Sequence, residues 1–232
     1  MKISVILPAH NEEGNIGKMV EGLFERFDND ILEIIVVNDA SEDSTARIAE
    51  NLKKRYKKLK LINRQPPCGV GRALRDGFSS INNDTEWVLS MDSDFITNLD
   101  QVEVMIQKAK EGHDGVIGSR YVKTGKLNGY PLLKKLSNRA YHHLVKASLG
   151  IKVNDLTNNF KLYKKDIINS IDWKSNDFAI NAETGIFPLL KGYDIVEIPV
   201  TWTQRSAGKS SFKVFKLAPS YLKVFFSALK KN

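Results

Sequence analysis

Short, uniformly apolar runs alternating with amphipathic stretches constrain this chain more than any other feature. Ile3-Ser4-Val5-Ile6-Leu7 is stopped by Pro8, Ile34-Ile35-Val36-Val37 by Asn38-Asp39, and Trp87-Val88-Leu89-Ser90 runs into Met91-Asp92-Ser93-Asp94. Runs this short, with little polar alternation, read as strands buried on both faces. After the first, Ile16, Met19, Val20, Leu23 and Phe27 fall on one face of a helix. The cap-rich stretch from Ser41 to Thr45 opens a second helix with Ile48, Ala49 and Leu52 inward. Leu59 to Ile62 predicts a third strand, Gly69-Val70-Gly71 a helix through Ala73, Leu74 and Phe78, Val102 to Ala109 another, and Gly115-Val116-Ile117 a fifth strand. Such alternation predicts an α/β fold with a mostly parallel central sheet and helices on both faces.

In an open parallel sheet, ligands bind beyond the carboxyl ends of the strands, which share one edge. Glu12, Asp39 and the pair Asp92 and Asp94 each follow such an end, so they are expected to converge on one crevice. Two carboxylates one residue apart repel and need a counter-charge. Mg²⁺ carrying a diphosphate supplies one, since it is held by one or two carboxylates plus phosphate oxygens. A solvated aspartate turn is the plainer reading of the pair taken alone.

The 232 residues and 42% hydrophobic content support one sizeable core, in one large domain or a domain with an appendage. Cys68 is the only cysteine, which allows no internal disulfide and fits a reducing compartment. Met1-Lys2 leads straight into a strand, so no signal peptide is expected. No uncharged apolar stretch reaches the ~20 residues that span a bilayer. The formal charge of +8 points to a polyanionic partner: nucleic acid, an anionic membrane or a phosphorylated substrate. The run Lys53-Lys54-Arg55-Tyr56-Lys57-Lys58 is a solvated helix end, where cations suit the dipole.

Beyond Arg120 the pattern changes. Leu132 to Leu149 predicts a basic amphipathic helix, with Leu133, Leu136, Tyr141, Leu144, Val145 and Leu149 set among Lys134, Lys135, Arg139, His142, His143 and Lys146. It suits either a membrane surface or packing with a wet basic face. His142 and His143 are adjacent and point apart, which argues against a metal site. Asp155 to Tyr163 runs from a polar turn into a strand, a helix covers Glu183 to Leu190, and Ile195 to Pro199 is a further strand. Arg205 to Ser211 is a small-residue basic loop that fits either a phosphate cover or a linker, and Pro219 to Lys231 is amphipathic. Gly69-Val70-Gly71 fits a helix start near phosphate or simple packing. It does not follow the first strand, so it is no dinucleotide fingerprint.

With these residues assembled, the chain resembles the glycosyltransferase family 2 enzymes, closest to their dolichol-phosphate mannose synthase group. Leu7-Pro8-Ala9-His10-Asn11-Glu12 resembles the family's opening nucleotide loop, and Val36-Val37-Asn38-Asp39-Ala40-Ser41 its base-binding acid motif. Asp92-Ser93-Asp94 matches the Asp-x-Asp metal motif. Gly118-Ser119-Arg120-Tyr121 and Asn138-Arg139 match positions that hold the acceptor phosphate, and Asp155-Leu156-Thr157 with Phe160, then Glu183, then Arg205 and Gly208 complete the order. The chain departs from the pattern where Asn38 replaces a frequent acid, where Ile96 stands at a frequent third metal ligand, and where Ser211 replaces a final lysine.

The resemblance implies a GT-A, Rossmann-like domain over 1–211, with a nucleotide-sugar half (1–120) and an acceptor half (121–211), and an amphipathic tail at 212–232. It implies a nucleotide-sugar site of Pro8, Ala9, Asn11, Glu12, Asp39, Gly71, Asp92 and Ser93, with Mg²⁺ or Mn²⁺ on Asp92 and Asp94. Asp94 and Arg205 would be catalytic, and Ser119, Arg120, Asn138 and Arg139 would hold the acceptor phosphate. The implied reaction moves mannose from GDP-mannose onto polyprenyl or dolichyl phosphate, by an enzyme peripheral at the cytoplasmic face of a membrane, with no nucleic-acid partner. A UDP-sugar donor, a hydroxyl acceptor on a glycan, or both, is the alternative, and a hydroxyl acceptor requires a base, Asp155 or Glu183. A sugar-phosphate nucleotidyltransferase would need a glycine-rich basic loop after the first strand, where Pro8 to Glu12 stands instead. A non-catalytic basic binding module is the remaining alternative.

Overall fold

The computed structural model describes residues 1–203 and 214–231. Seven strands form one sheet: β1 (Ile3–Ala9), β2 (Ile31–Asp39), β3 (Leu59–Arg64), β4 (Trp87–Ser90), β5 (Gly115–Ser119), β7 (Lys161–Lys164) and β8 (Ile195–Pro199). Their order is β3-β2-β1-β4-β7-β5-β8. Pairings are parallel except at β7, which lies antiparallel between β4 and β5. Two short strands, β6 (Lys126–Asn128) and β9 (Thr201–Thr203), pair separately.

Adjacent residues of β1 point to opposite faces, and each face has its own core. Val5 and Leu7 pack with Met19, Val20 and Leu23 of α1 (Ile16–Phe27) and Val102 and Met105 of α4 (Leu99–Lys110). Ile6, Ile35 and Val37 pack on the other side with Ala73 and Leu74 of α3 (Val70–Ser79), Val145 of α5 (Leu132–Leu149) and Ile180 and Ala182 of α7 (Ile180–Leu190). Both faces of the central strands are therefore covered, which is why they carry no polar alternation. The α1 face expected from spacing is buried, with Phe24 added to it. Two further helices, α2 (Thr45–Arg55) and the short α6 (Lys165–Ser170), complete the layers up to β8.

The end of the chain is part of this core. In α8 (Val214–Leu229), Leu217, Val224, Phe225 and Ala228 are buried, and Tyr141 of α5 donates its hydroxyl to the carbonyl of Tyr221. Phe215, Leu222, Phe226 and Leu229 stay exposed. Helix α5 has the bounds read from its pattern, but its face is divided differently. His142, Val145 and Leu149 are buried, while Leu132, Leu133, Leu136 and Leu144 face out at 69, 52, 59 and 41% exposure. Among the described residues, no helix is long and apolar enough to cross a membrane.

Candidate active site

The strand order puts the carboxyl ends of β2, β1 and β4 side by side, and their loops are tied together. The Ser93 hydroxyl donates to the Pro8 carbonyl at 2.9 Å, joining the β4 loop to β1. The Asn11 N–H donates to the Ser41 hydroxyl at 3.0 Å, and the Glu12 N–H to the Thr45 hydroxyl at 2.8 Å, joining the β1 loop to the loop after β2. Asn11, at φ 56°, returns a bond by accepting the Glu42 N–H on its side-chain oxygen. Glu12 is buried and accepts the Asn15 amide at 2.7 Å. Asp92 and Asp94 are half-buried, and Ala9 and Ser93 are buried beside them in sequence. Glu12, Asp39, Asp92 and Asp94 thus follow three adjacent strands at one sheet edge.

Asp39 is held firmly. Arg64, at the end of β3, donates to its Oδ1 and also to Asp76, while the Gly69 N–H donates to Oδ2 at 2.6 Å. Each carboxylate oxygen keeps a second lone pair for a ligand. Arg64 carried no sequence signal, because its partners lie 12 and 25 residues away. Gly71, expected at the nucleotide, also packs closely within the protein. A Cβ there would meet Ser175 O at 2.3 Å, so the absent side chain lets α3 press against the 175–177 loop.

Asp92 and Asp94, half-buried after β4, carry hard carboxylate oxygens, a donor set that fits Mg²⁺ or Mn²⁺. Among the described residues no three His, Cys, Asp or Glu cluster as ligands. Two carboxylates leave most coordination positions to water and diphosphate oxygens, the usual habit of Mg²⁺.

A second cluster adjoins the first. Asp155 is fully buried and takes both the Nε and Nη2 protons of Arg120, at 2.7 and 2.8 Å, plus the Arg120 N–H at 3.0 Å. Despite its burial, Arg120 keeps the Asp155 carboxyl well below the usual carboxylate range, and Asp155 holds Arg120 above its ordinary value in return. Arg120 also donates to Thr157, whose hydroxyl donates to Asn138 at 3.0 Å. Ser119 is fully buried and accepts the Tyr121 N–H on its hydroxyl. Arg139 is half-buried with its guanidinium over the Tyr121 ring, 4.9 Å from the centroid.

Several expected roles change as a result. Arg120 is buried against Asp155 and Thr157, so its guanidinium serves the protein interior rather than an acceptor, leaving Arg139 as the more accessible cation. Asp155, named as a base for a hydroxyl acceptor, has its carboxylate engaged in the ion pair with Arg120. Glu183, the other candidate base, is buried with Oε1 and Oε2 accepting the N–H groups of Lys174 and Ser175 at 3.0 and 2.8 Å. Arg205, Gly208 and Ser211 lie outside the described residues.

Two buried basic groups frame the cluster. Lys161 donates to the Asn181 carbonyl and the Thr184 hydroxyl, both at 2.7 Å. Burial pulls its ammonium down to about 7, against the pull of Asp155 and Asp92. His142 accepts the Leu156 N–H on Nε2 at 2.9 Å, so its ring is neutral with the proton on Nδ1. Burial, aided by Arg120, Arg139 and Lys146 and opposed by Asp155, lowers it to about 4. The unfolded chain therefore binds this proton near pH 6.5, while the folded chain refuses it until about pH 4. Stability from neutral His142 is full above pH 6.5 and declines by about 3 kcal/mol as pH falls to 4. His142→Gln should flatten the urea midpoint against pH in that window. An unchanged slope in the variant would remove His142 as the cause.

Comparison with known proteins follows this geometry. The family model described as Glycosyl transferase family 2 matches residues 4–172. The dolichol-phosphate mannosyltransferase of Pyrococcus furiosus is 32% identical over 239 aligned positions, covering 99% of this chain and 64% of that protein. The polyprenol monophosphomannose synthase of Mycolicibacterium smegmatis is 24% identical, covering 95% of this chain and 84% of that protein. Among solved structures, glucosyl-3-phosphoglycerate synthase from Mycobacterium tuberculosis, in complex with Mn²⁺, UDP-glucose and phosphoglyceric acid, superposes with a TM-score of 0.75 at 18% identity, covering 99% of this chain and 80% of that one. That likeness establishes the fold. Given the family match over most of its length, the chain belongs to glycosyl transferase family 2.

Proposed function

We propose that this chain moves a sugar, mannose from GDP-mannose, onto a polyprenyl or dolichyl phosphate with inversion at the anomeric carbon. The reading takes its substrates from the two curated relatives, the longer of which exceeds this chain by about a third of its own length. The observation that carries it is the edge formed by β2, β1 and β4, where acids from three loops adjoin a basic cluster. Asp39 and Glu12 hold the nucleoside, with Pro8, Ala9 and Asn11 shaping that loop. Asp92 and Asp94 hold Mg²⁺ or Mn²⁺, as Mn²⁺ accompanies UDP-glucose in the solved neighbour. When bound, the cation neutralises charge developing on the departing nucleotide diphosphate. The family resemblance assigns a further donor there to Arg205, which lies outside the described residues.

The engagement of Asp155 and Glu183 bears on the acceptor. A hydroxyl acceptor needs a base, and both carboxylates proposed for that task are occupied. A lipid phosphate is ionised at neutral pH and needs only positioning. Arg139 supplies the cation, and Ser119, Asn138 and Arg120 shape the cluster behind it. Leu132, Leu133 and Leu136 project from α5 beside Lys134 and Lys135, which suits peripheral docking on an anionic membrane surface. The single cysteine, Cys68, fits a reducing compartment, which supports the cytoplasmic face as the side of docking.

The test is transfer of labelled mannose from GDP-mannose to polyprenyl phosphate in anionic liposomes with Mg²⁺ or Mn²⁺, against UDP-sugars and oligosaccharide acceptors in parallel. Arg139→Ala should raise the acceptor KM at least tenfold and leave the donor KM within twofold. Transfer to the oligosaccharide alone overturns the lipid acceptor, and equal loss for donor and acceptor removes Arg139 from it.

A further inference from the structure

Asn159 lies between the acidic edge and the Arg120–Asp155 cluster, just before β7. It is 2% exposed. Its Nδ2 donates to Asp92 Oδ1 at 2.9 Å, and its backbone carbonyl accepts the Ser90 hydroxyl at 3.1 Å. Its side-chain oxygen, Oδ1, is buried without a hydrogen-bond partner among the described residues. The neighbouring Asn158 donates its amide to the Gly118 carbonyl at 2.7 Å. Asn181 Oδ1 is likewise buried without a partner among the described residues, but Asn159 also bonds a carboxylate of the acidic edge.

The orientation of this amide is dictated by its neighbour. A flip would turn the Asn159 oxygen towards the Asp92 carboxylate, setting acceptor against acceptor. The donor must therefore face Asp92, and the oxygen is left where it lacks a donor. An unsatisfied buried group of this kind is a standing cost in a folded protein and calls for an explanation.

We propose that Asn159 is a positioning residue for the divalent cation: its Nδ2 fixes the Asp92 carboxylate, and its Oδ1 accepts a hydrogen bond from a water on that cation. The inference rests on the reading of Asp92 and Asp94 as cation ligands. Covalent amide geometry keeps Asn159 Oδ1 within about 5.5 Å of Asp92 Oδ1. A carboxylate–metal distance of about 2.1 Å, a metal–water bond of the same length and a water hydrogen bond of about 2.8 Å bridge that gap without strain. Mg²⁺ dehydrates reluctantly and keeps several waters, whose protons need acceptors. Ile96, two residues past Asp94, has no donor atom to take a coordination position. A water held by Asn159 fills the role that a third side chain would otherwise play. Partners outside the ligand shell commonly tune metal affinity 10–100-fold.

The test measures Mn²⁺ uptake by electron paramagnetic resonance in the presence of GDP, and separately of UDP, in the full chain without acceptor. Asn159→Ala and the near-isosteric Asn159→Leu should each weaken Mn²⁺ at least tenfold, with nucleotide affinity in chelator within twofold of wild type. Unchanged Mn²⁺ affinity in a variant that melts like wild type overturns the proposal. As a check that does not depend on a variant folding, adding Mg²⁺ and nucleotide to the ¹⁵N-labelled wild-type protein should shift the side-chain amide signals of Asn159, and unmoved signals overturn it as well. If the wild-type chain takes up no Mn²⁺ with either nucleotide, the metal reading itself falls. Normal uptake with unaffected variants defeats only the role of Asn159.

Discussion

Asp94→Ala is expected to lower kcat/KM for sugar transfer by at least about a thousandfold, equivalent to about 4 kcal/mol of transition-state stabilisation. The residue follows β4 at the acidic edge, half-buried, and one residue from Asp92. Removing it halves the carboxylate charge offered to a cation there. The departing diphosphate then leaves with its developing charge poorly compensated. The fold should tolerate the change, because the surrounding β4 strand is held by Val88, Leu89 and the pairings to β1 and β7. Thermal unfolding within a few degrees of wild type, together with lost turnover and lost Mn²⁺ uptake, is the predicted outcome. Wild-type turnover in Asp94→Ala would end the metal-assisted reading.

Asp155→Ala should produce the largest loss of stability. It leaves the Arg120 guanidinium, 8% exposed as a residue, without its counter-ion. Breaking a buried pair from one side costs roughly 3–5 kcal/mol, a large share of the 5–15 kcal/mol that holds a typical domain together. For a chain of this size the melting temperature should fall by roughly 6–20 °C. Removing both charges is a different matter. Arg120→Met with Asp155→Leu leaves no unpaired ion and should recover much of the loss, since apolar replacement of a buried pair is often neutral. A melting temperature for Asp155→Ala equal to that of wild type would show that Arg120 finds another partner or water, and the ion pair would lose its structural role.

The features legible from the residues alone share a physical origin. Helix α5 keeps the bounds read from its spacing, and α1 buries the face that its period predicts. The β1, β2 and β4 runs appear as strands because β-branched residues covered on both sides leave an unmistakable apolar pattern. That the three acidic loops share one sheet edge follows from parallel direction, while their adjacency comes from the strand order β2-β1-β4. The outward turn of Leu132, Leu133 and Leu136 was not legible, because an apolar face records amphipathicity without naming what covers it.

Local chemistry, namely period, caps and strand ends, was enough to specify the α/β sheet, the family likeness and the edge where the acids gather. Choice of partner belonged to the folded chain. Insertion of β7 antiparallel between β4 and β5, the pairing of Arg120 with Asp155, the engagement of Glu183 by the 174–175 backbone and the burial of Asn159 against Asp92 all join segments distant in sequence. A carboxylate reads the same in one dimension whether it meets solvent, a cation or a buried guanidinium. Only burial and the groups within about 3 Å distinguish those states, and they are set when the chain closes on itself.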